Sequence, residues 1–363
     1  YWNHQRLRQY SGNYTENWNG WSLNIDADVA DGPVAVRTLA LAGQNVVQSM
    51  DLLTENEGWI LSNQQLFWTK DAGKQWNKIT PALAEGATVD AAFFIDTQTG
   101  WVMSQAKGRF NLFKTSDGGT TWRQNLLAVP DLNKQLLQPD RVHLNFLNTK
   151  TGWVMIKSAT GVNFSHGVLL GTRDGGETWT QLSTPLGEPV HFVSEKVGWM
   201  AGGPAGDQLY QTVDGGHTWQ PQQISSLTGK TKRQIKYGFP VFRDEQNGSL
   251  PVTFLSDTQN EVVVYTTQDG GKSWKVLSSK NMGRSLIFDA LSSLATLEWF
   301  AANEKALSDL PGARLLDFAT ADSGWAYLDN GVCSGDSCQV EKRLMKTSDG
   351  GKSWMELALP GWN

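Results

Sequence analysis

The segment Thr172-Arg173-Asp174-Gly175-Gly176-Glu177-Thr178-Trp179 decides the fold of this chain, because its skeleton, Thr-x-Asp-x-Gly-x-x-Trp, occurs six times. The other copies are Thr69/Asp71/Gly73/Trp76, Thr115/Asp117/Gly119/Trp122, Thr212/Asp214/Gly216/Trp219, Thr267/Asp269/Gly271/Trp274 and Thr347/Asp349/Gly351/Trp354. A pattern copied six times in 363 residues marks an array of like units. The Asp can accept hydrogen bonds from the amides of a tight turn, and the Thr hydroxyl can do likewise. The second Gly is expected at a positive φ and the first is not, since the first repeat carries Ala72 where the others carry Gly and keeps Gly73. The Trp folds over the turn, and its burial contributes about 2 to 3 kcal/mol.

A second register precedes every box: an apolar residue, then five residues, then Gly. The pairs are Leu52/Gly58, Phe94/Gly100, Phe146/Gly152, Phe192/Gly198, Phe242/Gly248 and Phe318/Gly324. Each repeat therefore reads as four short strands. In the second repeat these are Val89 to Ile95, Trp101 to Gln105, Asn111 to Thr115 and Trp122 to Leu126. Four-stranded units at this spacing are propeller blades, so the fold class is all-β, a single β-propeller over 46–363. Asp269 and Asp349 lie 80 residues apart. With Ser285 to Leu291 and Thr296 to Ala301 as strands of a degenerate blade, this stretch gives seven blades, the reading favoured. The alternative is a helical insertion in 280–312, capped by Asp289, which gives six. Residues 1–45 form an extension expected to supply a closing strand to the last blade.

The totals agree with an all-β chain. Seventeen Trp and 37 Gly suit short strands joined by glycine turns with an aromatic anchor at each. With 31 Lys plus Arg against 36 Asp plus Glu, the chain has no general affinity for nucleic acid. No run of 18 apolar residues is present. Cys333 and Cys338, the only two cysteines, enclose four residues and are expected to close a small disulfide loop, which fits an extracytoplasmic setting. A chain that starts at Tyr1 is consistent with removal of an export or anchoring segment.

The six box carboxylates, Asp71, Asp117, Asp174, Asp214, Asp269 and Asp349, are spread around a ring and do not converge as catalysis requires. They are read as structural. Because strand direction alternates, the box turn shares a face with the turn after the first strand, and recognition falls to the opposite face. The long segments 128–140, 157–167, 221–236, 280–314 and 329–343 belong there. Arg141, His191, Lys236 and Arg314 precede or open innermost strands, with Asp90, Asp140 and Glu188 beside them. Arg109, His166, Arg243 and the cluster Lys230, Lys232 and Arg233 are neighbours. Such a mixed ring suits a polar protein loop, or a sugar. Gly229-Lys230-Thr231 lacks the earlier Gly of a phosphate loop, Ile224 standing in its place. Neither Gly-x-Ser-x-Gly nor His-Glu-x-x-His occurs, and no metal or cofactor is expected.

The combination of Gly-Trp strand and box, seen in Gly152-Trp153 with Thr172 to Trp179 and covering roughly Val46 to Leu359, resembles the photosystem II stability and assembly factor family and its bacterial relatives. That resemblance implies an exported or lumenal propeller serving as a scaffold, here for a protein or peptide in the assembly of a membrane-associated complex. Sialidases are similar through the box, but their Arg-Ile-Pro motif is missing, Arg37 being followed by Thr38-Leu39. Asp-box glycanases use two carboxylates; on that resemblance Asp140 and Glu188, which open neighbouring inner strands, are the pair for an alternative glycoside hydrolase.

Overall fold

The computed structural model describes residues 6–18, 21–31 and 46–360, apart from 107–108, 128–138, 159–164, 225–226, 228–233, 257–259, 283–292, 304–309 and 335–336; within 6–31 and 330–340 and at 282 it describes the backbone alone. Two units follow, 1–45 and 46–363.

In the first unit Arg6–Trp18 and Trp21–Asp31 pair with each other as an antiparallel hairpin. The last blade draws all four of its strands, Ala313–Phe318, Gly324–Ser334, Ser337–Thr347 and Met355–Leu357, from its own repeat.

The second unit is a propeller of six antiparallel sheets, each built from consecutive segments: blade 1 (47–78), blade 2 (88–126), blade 3 (139–182), blade 4 (190–222), blade 5 (235–282) and blade 6 (313–357). In blade 2 the strands are Thr88–Phe94, Gly100–Ala106, Arg109–Thr115 and Arg123–Leu126, close to the sequence expectation. The inner strand of blade 5 is split into Ile235–Tyr237 and Val241–Phe242, with Pro240, which has no N–H to donate, in the gap. The favoured count of seven is corrected to six. The outer strand of blade 5 runs on through Lys275–Met282, and the segment expected as a strand from Thr296 lies inside a helix, Leu294–Ala302. Ser293 caps that helix by accepting from the Thr296 N–H, and Leu, Ala and Glu are good helix formers that override a strand there. Asp289, the expected cap, lies outside the described residues.

The two sequence registers meet in the packing between blades. A Cβ on Gly152 would stand 2.2 Å from the Phe146 ring, so only glycine lets that ring lie flat on its own second strand. The ring's other face receives the Trp of the preceding blade. Trp101 stacks on Phe146 at 3.8 Å, Trp153 on Phe192 at 3.7 Å and Trp199 on Phe242 at 4.6 Å. The box Trp closes the arrangement edge-on, as Trp179 does against Phe146 at 83°. Blade 5 breaks the series, because Ser249 follows Gly248 where the other repeats have Trp.

In all six boxes the Thr Oγ1 donates to the Asp Oδ1 and accepts from the N–H of the second Gly or its equivalent, as in Thr172 with Asp174 at 2.8 Å and Gly176 at 2.9 Å. The preceding residue donates its N–H to a carbonyl of the first turn of the same blade, as Gly175 does to Lys150 at 2.7 Å. Box and first turn are thus stitched together on one face. Both glycines are left-handed, Gly175 at φ 79° and Gly176 at φ 99°, which corrects the expectation for the first. Ala72 takes the same conformation at φ 60°, so its presence reports tolerated strain and not an ordinary backbone.

The ring closes through side chains. At the seam between blades 6 and 1, Asp317 Oδ2 accepts from the Leu52 N–H at 2.7 Å, Trp76 Nε1 donates to the Ala358 carbonyl at 3.1 Å, and Trp76 lies 5.5 Å from Trp325.

Candidate functional site

The face away from the boxes is assembled by bonds between second turns and the starts of inner strands. Asn63 N–H donates to Val46 O at 3.1 Å in blade 1, Asp329 N–H to Gly312 O at 2.9 Å in blade 6, and Tyr237 N–H to Gly206 O at 2.7 Å from blade 5 to blade 4. This pattern explains why residues distant in sequence gather on one rim. Among the described residues, one such gathering lies at the junction of blades 3 and 4. Lys157 ends the second strand of blade 3 and faces Arg141 in the ladder, beside a register shift at Pro139/Arg141. Its Nζ lies 2.9 Å from Glu188 Oε1, which also accepts from Ser165 Oγ at 2.7 Å. Ser165 in turn accepts from the Gly187 N–H at 3.1 Å, and a Cβ on Gly187 would meet the His166 carbonyl at 2.1 Å. Arg141, Lys157, Ser165, His166 and Glu188 therefore form one cluster, with Arg141 and His166 exposed.

The other expected positions divide. Arg109 opens the third strand of blade 2 and is exposed. Arg314 opens the inner strand of blade 6 and pairs with Asp329 at 3.5 Å. Lys236 is half-buried, its stem against Gly206 at the blade 4 and 5 junction. Asp90 is largely enclosed on the inner strand of blade 2; burial, opposed by a hydrogen bond from Thr88, raises its carboxyl to about 6. Lys230, Lys232 and Arg233 lie outside the described residues.

Two positions have engagements of their own. Arg243 follows Phe242 into the first turn of blade 5, whose Gln246 carbonyl accepts from the box Gly270 at 2.9 Å. It therefore belongs to the box face, where it pairs with Glu298 of the helix at 2.6 Å. His191 stands one residue before Phe192, and its Nε2 meets the Phe242 carbonyl at 3.0 Å, so it joins blades 4 and 5. His143 does the same for Val190 O at 3.0 Å. Burial lowers both imidazoles, His143 to about 4, so they stand neutral, with Phe239 against the two rings at 5.4 and 5.8 Å. Sequence reading missed Lys157, Ser165 and His143. Lys157 was within reach, since pairing the first and second strands from Phe146/Gly152 places it opposite Arg141.

The rim offers two kinds of chemistry. Its cations and acids of mixed sign can hydrogen-bond a polar chain. As a hydrolytic pair it is poorly made, because Glu188 is committed to Lys157 and Ser165, while Asp140 sits exposed on the strand edge. Among the described residues no group of three His, Cys, Asp or Glu side chains could hold a metal, and no helix is long and apolar enough to cross a membrane. The side chains of Cys333 and Cys338 lie outside the described residues, although the backbone register sets the two directly opposite each other.

No family model matches the chain. It is similar to the photosystem II stability/assembly factor HCF136, chloroplastic, of Oryza sativa subsp. japonica, 26% identical over 179 residues, or 45% of this chain and 39% of that protein. The protein of the same name from Arabidopsis thaliana is 27% identical over 165 residues, covering 41% and 38%. The matches thus span less than two fifths of the length of these relatives. A solved structure of YCF48 bound to D1 peptide is 16% identical and covers 86% of this chain and 83% of that one at a TM-score of 0.45.

Proposed function

We propose that this chain is a non-catalytic propeller scaffold that binds a protein or peptide segment on the face opposite its boxes, in the assembly of a membrane-associated complex outside the cytoplasm. The observation that carries the reading is a division of labour. Every box carboxylate is consumed in its own turn, whereas the opposite rim collects Arg141, Lys157, His166 and Glu188 at one junction and Lys236 at the next. A polar chain laid across those junctions would find donors and acceptors in alternation. The similarity to proteins named as stability and assembly factors supports a partner that is itself a protein. The facing cysteines support an oxidising compartment.

The test is crosslinking of the exported protein in membranes, followed by purification of the crosslinked species, with Arg141→Glu and Lys236→Glu compared against Arg123→Glu, an exposed box-side control. Loss of the species in the first two variants and retention in the third is expected. Retention in all three would remove the proposed face. Turnover of aryl glycosides or sialosides that is abolished by Asp140→Asn or Glu188→Gln would replace the scaffold with a hydrolase.

A further inference from the structure

We propose that Asp51 and Asp317 share one proton across the seam between the first and last blades, and that this seam is a latch which loosens when the proton is lost. Each residue stands immediately before the apolar residue of its repeat's first register, Asp51 before Leu52 and Asp317 before Phe318. The position has a defined job elsewhere in the ring. Asn145 Oδ1 in blade 3 accepts from the Phe192 N–H of blade 4 at 2.9 Å, and Asp317 Oδ2 in blade 6 accepts from the Leu52 N–H of blade 1 at 2.7 Å. A neutral amide therefore performs this bond as well as a carboxyl does. What distinguishes the last seam is a second acid, Asp51, hydrogen-bonded to Asp317. Two carboxyl groups make such a bond only if one carries the proton.

Among the described residues the surroundings supply little compensating charge. Asp317 acts on Asp51 as its charged neighbour; Asp317 itself is met by the Leu52 N–H and the Ser293 hydroxyl. The strand Val47–Leu52 carries no other charged residue, and Gly58–Ser62 carries none. On Ala313–Phe318 the remaining charge is Arg314, paired with Asp329 of the next strand towards the other rim, and on the helix it is Glu298, paired with Arg243. Burial and mutual repulsion raise Asp51, and burial raises Asp317. Both shifts favour the protonated pair. A folded-state pKa above the unfolded value means that closure is complete at low pH and weakens as pH rises through it. Because no strand is shared across this seam among the described residues, the bond at Leu52 is one of the few that hold it.

Amide hydrogen exchange of the full chain provides the readout, with Phe192 N–H, bonded to the neutral Asn145, as the internal reference for Leu52 N–H. After correction for intrinsic rates, protection at Leu52 is expected to fall roughly tenfold or more relative to Phe192 as the pH is raised from acid to alkaline through the elevated titration of the pair. Asp51→Asn should abolish that difference, and Asp317→Asn, which keeps an acceptor as blade 3 does, serves if the first variant fails to fold. Parallel protection of the two amides in the unsubstituted protein would overturn the latch, as would a pH-dependent difference that survives either substitution. The comparison in the unsubstituted protein decides alone if neither variant folds.

Discussion

Trp299, carried by a helix, stacks on Phe318 at 4.3 Å and 19°, the place that a second-strand Trp holds over the Phe of the following blade elsewhere in the ring. Its Nε1 donates to the box carbonyl of Gly350 at 2.8 Å, as Trp101 Nε1 donates to Gly175 at 3.0 Å. Trp354 meets it edge-on at 88°. From the same helix Thr296 Oγ1 accepts from the Phe318 N–H at 3.0 Å, which supplies the bond that Val241 of blade 5 has no polar atom to make. The helix therefore replaces two missing side chains at the junction of blades 5 and 6.

Trp299→Ala is expected to destabilise the propeller by about 3 to 5 kcal/mol, the range for removing a buried indole. The residue is 4% exposed and its partners belong to blade 6, so the loss cannot be confined to the helix. Chemical denaturation measures it. A cost under about 1 kcal/mol, comparable to a surface change, would mean that the helix is an ornament.

Ala72→Gly should be neutral or stabilise by up to about 1 kcal/mol, because it relieves a left-handed residue at the expense of some unfolded-chain entropy. Gly175→Ala should destabilise, since the added Cβ would lie 2.5 Å from the Thr149 carbonyl oxygen in addition to the backbone strain. Opposite signs for the two exchanges in urea denaturation are the expected outcome. A destabilising Ala72→Gly would show that the methyl's burial outweighs the strain.

Cys333 and Cys338 are expected to be oxidised to each other, because antiparallel pairing sets them directly across from one another with four residues between. A loop this short gains roughly 2 kcal/mol at most from closure, so reduction should leave the propeller folded. Mass spectrometry after alkylation without reductant checks it: two alkylated thiols would rule the bridge out.

The fold was legible where one residue type has one geometric solution. The Phe-x5-Gly register could be found because a ring lying on a strand demands glycine beneath it, and the box because Thr, Asp and Gly are each fixed by a hydrogen bond or by φ. The blade count was not legible, since Thr296 to Ala301 reads as a strand of a degenerate blade or as part of a helix until Trp299 finds Phe318. The same limit hid the contacts of His191 and Arg243. Sequence shows that each neighbours an inner strand, but the end of the strand on which a side chain falls depends on where the strand stops. Lys157 and Ser165 carried no motif, and what the sequence did not show is their contact with Glu188 at a blade junction.

Acid should unfold the propeller through its boxes. In Asp214, Asp269 and Asp349 the hydroxyl of Thr218, Ser273 or Ser353 donates to Oδ2 at 2.5 to 2.6 Å and the N–H of the same residue to Oδ1, which lowers each carboxyl to about 2. Asp174 reaches the same value although desolvation opposes it. A folded-state pKa below the unfolded one contributes stability above about pH 4, lost as pH falls towards about 2. Thr218→Val removes the hydroxyl bond and should raise the Asp214 titration, moving acid unfolding to higher pH. The first repeat is a natural control: Gln75 occupies the hydroxyl position and gives Asp71 the backbone N–H bond at 2.8 Å. Asp71 is therefore expected to take up its proton before Asp214 does. Carboxyl titration by NMR resolves the two, and the reverse order would show that the amides, not the hydroxyls, set the acidity of the boxes.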